Sequence, residues 1–160
     1  MFSWNRFLTA EQRTTTDLKT FITKLLRSFK PTPKSYFGVN DRIGLRYLTQ
    51  LRVDLNPLRF YKFRSNFADT NNSLCLFDDG VEDIGHFLLD CPQFSEIRDT
   101  LMSNVSRLGV DIHTFTRKNQ IKLLLYGKIA YKDDVNRSIL LETISFIHKS
   151  NKFKRLPSVT

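Results

Sequence analysis

Apolar residues recur at intervals of three and four along most of this chain, and in one central stretch that pattern stops. Leu18, Phe21, Ile22, Leu25, Leu26 and Phe29 form one stripe, and Leu45, Leu48, Leu51 and Leu55 a second. Ile97, Leu101, Met102, Val105 and Leu108 form a third; Ile121, Leu124 and Leu125 a fourth; Val135, Ile139, Leu140, Ile144 and Ile147 a fifth. Such spacing stacks side chains on one face of an α-helix and scatters them on a strand. The chain therefore reads as mainly α. Its 160 residues fit one domain with a helical arm and are too few for a complete polymerase, kinase or β/α barrel.

Punctuation sets the boundaries. Pro31 and Pro33 stop the first stripe, because proline lacks an amide proton and disfavours helix before it. That leaves an N-terminal helical arm, 1–30, and a helical domain, 31–153. Asn40 or Asp41 can cap the second helix, Asn56-Pro57 ends it, and Thr116 can cap the fourth. Gly109 and Gly127 suit helix C-termini, and Asp133-Asp134 sits where a helix N-terminus favours negative charge. From Lys152 the chain is basic and reads as frayed, with 154–160 beyond the domain. The irregular centre, 69–83, is polar and turn-rich. Asp78-Asp79-Gly80 between Leu74–Phe77 and Val81 permits one small β-hairpin. Ile84 to Leu89 adds a helical turn or two, and Pro92 suits the start of the next helix.

The centre also holds the chemistry. Cys75, Asp78, His86 and Cys91 have zinc-knuckle spacing, with Asp78 standing where a second cysteine would fall and Asp79 as an alternative donor. A structural zinc takes four nitrogen, sulfur or oxygen donors in a tetrahedron. The competing reading is a buried thiol pair beside a hydrogen-bonded histidine. The turn is expected to fold Cys75 back over the short helix bearing His86. His86 and Cys91 are five positions apart and do not share a face of a continuous α-helix, so convergence needs a break near Leu89–Pro92. Two cysteines cannot build a disulfide framework. The N-terminus lacks a signal-peptide pattern, and no segment approaches the roughly 20 apolar residues of a membrane helix. The expectation is an intracellular protein, cytoplasmic or nuclear, not secreted and not membrane-bound.

Charge is unevenly spread. The net charge of +9 divides into +9 over 1–66, −7 over 67–111 and +7 over 112–160. Basic lobes point to a polyanionic partner, RNA or DNA held with little specificity. Arg42 and Arg46 lie one helical turn apart, and Arg59-Phe60-Tyr61-Lys62-Phe63-Arg64 interleaves bases with aromatics. The nucleic-acid set is therefore Arg42, Arg46, Arg59, Lys62 and Arg64, with Phe60 and Phe63 read as core anchors.

These segments resemble the C-terminal region of non-LTR retrotransposon reverse transcriptases of the jockey-like type. The resemblance runs through residues 48–58 and Tyr61-Lys-Phe-Arg-Ser-Asn-Phe-Ala-Asp-Thr70. Its most specific part is Asp79-Gly-Val-Glu-Asp-Ile-Gly-His-Phe-Leu-Leu-Asp-Cys-Pro92, and it continues in Leu123-Leu-Leu-Tyr-Gly127 and Ile144-Ser-Phe-Ile-His-Lys-Ser150. It covers roughly 31–153. The resemblance implies a degenerate zinc-knuckle-like segment, 74–92, followed by terminal helices, in an accessory region downstream of the polymerase. It implies a C-terminal fragment whose partner is the upstream polymerase domain. RNA-directed DNA polymerase activity in that family belongs to upstream domains, so no catalytic residue is expected here. Asn66-Phe67-Ala68-Asp69-Thr70 has the look of a polymerase active-site turn, but Thr70 replaces the second aspartate that two-metal chemistry needs. Other readings of the chain are a helical protein-interaction domain or a retroelement relic without a task.

Overall fold

Five α-helices carry the fold in a computed structural model that describes residues 39–154. The arm 1–30, with its expected helix at 17–29, and residues 155–160 lie outside the described residues. The helices are α1 (Arg42–Arg52), α2 (Arg59–Arg64), α3 (Ser95–Arg107), α4 (Arg117–Tyr126) and α5 (Asp133–Ser150). A π-helical turn, His86–Asp90, and two 3₁₀ turns, Pro92–Phe94 and Ile112–Thr114, complete the helical elements among the described residues.

The 18-residue α5 is the centre, and α1, α3 and α4 each pack against it. Leu48 and Leu51 from α1, Leu101 and Val105 from α3, Leu124 from α4, and Ile139, Leu140 and Ile144 from α5 are buried in one core, with Leu45 and Ile97 packed against it. The three longest stripes in the described residues thus face the same interior. The mainly helical expectation holds.

Four local expectations change. Leu55 was placed on the α1 stripe but is 51% exposed. The helix has already ended at Arg52, and Asp54 takes a left-handed φ of 57° that turns the chain away. The β-hairpin is reduced to a single antiparallel bridge, Leu74 with Val81, and the described residues contain no strand. Only a short segment separates the two bridge residues, and the flanking Leu76 and Phe77 are exposed with no partner strand to extend a ladder. Phe63 is not a core anchor: it is 46% exposed, because the six-residue α2 buries none of its residues. Finally, the chain at Lys152 and Phe153 is not frayed. Phe153 is buried, its ring 5.9 Å from that of Phe87, in a cluster where Phe87 also meets Phe94 at 5.4 Å and Phe146 at 5.2 Å.

Asp41 starts α1 as expected. Its carboxylate accepts from the Gly44 amide at 2.8 Å and faces His148 Nε2 on α5 at 2.7 Å. The Gly44 amide first, then His148, holds the Asp41 carboxyl below its ordinary value of 3.8. A depressed carboxyl contributes stability above its unfolded value and loses it as pH falls through the folded one. Asp41→Ala is therefore expected to cost about 1 kcal/mol at neutral pH, the usual worth of an N-cap, and progressively less below about pH 4. Urea denaturation at both pH values checks this; a cost that grows on acidification contradicts it.

Candidate metal centre

The centre is built from two short pieces of chain. In the first, the Gly80 amide donates to Asp78 Oδ1 at 2.9 Å, and the Cys75 amide donates to the Gly80 carbonyl at 2.8 Å. This side-chain-to-backbone turn reverses the chain, and the Glu82 amide closes it on the Ser73 carbonyl at 2.9 Å. Gly80 lies against the imidazole of His86. A β-carbon at position 80 would stand 2.9 Å from Cε1 and Nδ1, so no other residue fits without moving the ring.

The second piece presents His86 and Cys91. Asp83 starts it by accepting from the His86 amide at 2.7 Å. Five steps of about 100° on an α-helix carry a side chain about 140° past its starting face. Here the Cys91 amide reaches back to the His86 carbonyl at 2.8 Å, a π turn that widens the helix by one residue. The fifth residue comes back over the first. The chain then leaves the helix at Cys91, whose ψ of 120° is the extended value that the following Pro92 demands. Arg98 on α3 fixes this exit by donating to the Cys91 carbonyl at 3.0 Å. The expected break occurs, and the wide turn before it aligns the pair.

The ligand atoms of Cys75, His86 and Cys91 all lie within 4.8 Å of one another, and all three residues are buried. The two sulfurs are 3.7 Å apart. A disulfide needs about 2.05 Å. Two thiolates sharing one tetrahedral zinc at 2.3 Å each would stand about 3.8 Å apart. His86 Nε2 is buried and makes no hydrogen bond of good geometry, with Asp78 Oδ1 standing off at 3.4 Å. Burial first, then the neighbouring Cys75 thiol and the charge of Asp78, push the Cys91 thiol up to about 11. A buried nitrogen without a well-formed hydrogen bond is costly unless something binds it. This group could hold a metal ion, and the unsatisfied nitrogen and the sulfur separation fit one.

Asp78 is not a member of this mutually close set. Its Oδ1 serves the Gly80 amide and approaches His86 Nε2 at 3.4 Å, with the side chain about a third exposed. Asp79 is exposed. Three donors converge and a fourth position is left for Asp78 or water.

The residues read as nucleic-acid contacts are spread over two helices. Arg42 and Arg46 are exposed on α1, where the Arg46 guanidinium lies 5.3 Å from the Tyr47 ring centre. On α2, Arg59 donates to Asn72 at 2.9 Å. Lys62 pairs with Asp69 and Arg64 with Asp54, each at 2.7 Å. Arg64 also lies over the rings of Phe60 and Tyr61, at 5.4 and 5.9 Å. Sequence reasoning missed Glu82, a carboxylate only 2% exposed, which accepts from the Arg59 amide at 2.7 Å and pairs with Lys152. No local pattern marks it, since its partners come from α2 and from the far end of the chain.

Comparison of the chain with protein families, curated proteins and solved structures gives no match. Among the described residues no helix is long and apolar enough to cross a membrane.

Proposed function

We propose that this chain is a zinc-stapled, non-catalytic module that holds RNA or DNA for a retrotransposon-type reverse transcriptase. The observation that carries the reading is the convergence of Cys75, His86 and Cys91 from a turn and a π-helical turn. Thiolate and imidazole donors in a buried set favour zinc, and its burial in the core favours a structural role. Cys75, His86 and Cys91 would hold the ion, with Asp78 or water as the fourth ligand. The staple fastens the turn at 75–82 to the helical core through His86 and Cys91. Exposed cations on α1 and α2 then meet phosphate without reading sequence. The resemblance supplies the setting, an accessory region beside an upstream polymerase.

Two measurements on one preparation test this. Protein purified without chelator is expected to carry about one zinc per chain. Its binding to single-stranded RNA or DNA is expected to fall steeply as salt rises, through counterion release. A chain free of zinc, or without binding at low salt, overturns the corresponding half. One observation favours the helical protein-interaction reading instead: Lys62 and Arg64 are already ion-paired, while Phe67, Leu76 and Phe77 are exposed. Partner binding that is insensitive to salt would decide for it.

A further inference from the structure

We infer that a groove between α2, the turn at 75–80 and the segment just after α5 is the track for a single-stranded polynucleotide, with Lys154 as a phosphate contact that belongs to neither basic helix. The inference rests on the nucleic-acid reading above and assigns it a place. The groove has a volume of about 580 Å³, and among the described residues Arg59, Lys62, Lys152 and Lys154 line it against one acid, Asp69.

The four cations are not equivalent. Arg59 is held by the neutral amides of Asn71 and Asn72, which orient the guanidinium, and it has no side-chain ion pair among the described residues. Lys154 is exposed and has no ion pair among the described residues. Lys152 is balanced by the buried Glu82 and acts as a strut. Lys62 is balanced by Asp69, an exposed acid whose carboxyl is held down chiefly by its bond to Lys62. An exposed pair of that kind is worth little, so a phosphate can displace the carboxylate. Among the described residues the groove therefore offers two cations without an ion pair and a third that a ligand can release.

The apolar part of the lining selects the form of the strand. Leu76, at the tip of the turn, is 69% exposed and lines the same groove with Pro57. A single strand can bring an unstacked base into apolar contact with such a surface while its phosphates meet the cations; a duplex keeps its base faces stacked inside. The metal centre enters here indirectly, since the turn that carries Leu76 is the one stapled through Cys75.

The test is anisotropy of a labelled single-stranded oligonucleotide with the full chain, titrated across salt. Lys154→Ala is expected to weaken binding several-fold and to flatten the salt slope by about 0.7, the contribution of one phosphate on a single strand. Asp69→Asn is expected to tighten binding by freeing Lys62. Both sites are exposed, and an unchanged helical circular dichroism spectrum certifies the fold. If the wild-type chain binds and both variants bind like it, the groove is overturned while the nucleic-acid reading stands. If the wild-type chain binds nothing at low salt, that reading fails and the groove with it. Equal affinity for a duplex of the same length overturns the single-strand assignment.

Discussion

Phe87→Ala is expected to cost about 3–5 kcal/mol, the range for emptying an aromatic site in a packed core. Phe87 is fully buried, and its ring meets Phe94, Phe146 and Phe153 at 5.2–5.9 Å. These neighbours come from the 3₁₀ turn, from α5 and from the segment after it. One truncation therefore removes the contact that joins three parts of the chain, and no neighbour is free to fill the space. Thermal or urea denaturation reads the effect directly, with a fall in midpoint of about 10 °C or more for a domain of this size. A loss below about 1 kcal/mol would mean that the cluster is not packed as described. Because Phe87 follows His86 in the π turn, the same variant is also expected to weaken metal binding without touching a ligand.

Cys91→Ser is expected to reduce the zinc content from about one per chain to a small fraction of that, while the helices persist. The sulfur sits 3.7 Å from that of Cys75 and inside the three-residue set. A serine hydroxyl is similar in shape but is a poor zinc ligand, so the change removes a donor without opening a large cavity. Apolar side chains of α1, α3, α4 and α5 fill most of the core, so circular dichroism is expected to change little. Amide exchange should rise across 73–91 and not across α5. Ligation also requires the imidazole and the thiols to lose their protons, the Cys91 thiol from about 11, so zinc affinity is expected to fall as pH drops. A wild-type chain without zinc, or a variant that keeps it, would refute the staple.

The helices were legible in the sequence because their signals are local. Asp41, Gly109 and Gly127 stand where the chain enters or leaves a helix, and each glycine takes a positive φ. The grouping of Cys75, His86 and Cys91 was legible too, from spacing and a turn signal. What escaped depends on distant partners or on unusual geometry. Phe153 looks like tail until Phe87 is beside it, and Glu82 looks like loop polarity until Lys152 reaches it. Phe63 follows its aromatic neighbours in sequence, but α2 is too short to bury a face.

The π turn makes the spacer between His86 and Cys91 a gauge of length. Within it Phe87 and Leu88 are buried, while Leu89 is only half-buried and Asp90 is exposed. Exchanges at the last two positions leave the gauge reading the same. Adding a residue to the four sets the pair six positions apart, about 240° around an α-helix, and swings one sulfur out of line with its imidazole, whereas removing Leu89 or Asp90 leaves the pair at the four-residue spacing that an ordinary α turn already aligns. Drift in such a chain should thus tolerate altered letters there far better than an added codon, and a one-residue insertion at this spot would mark a copy whose clasp no longer closes.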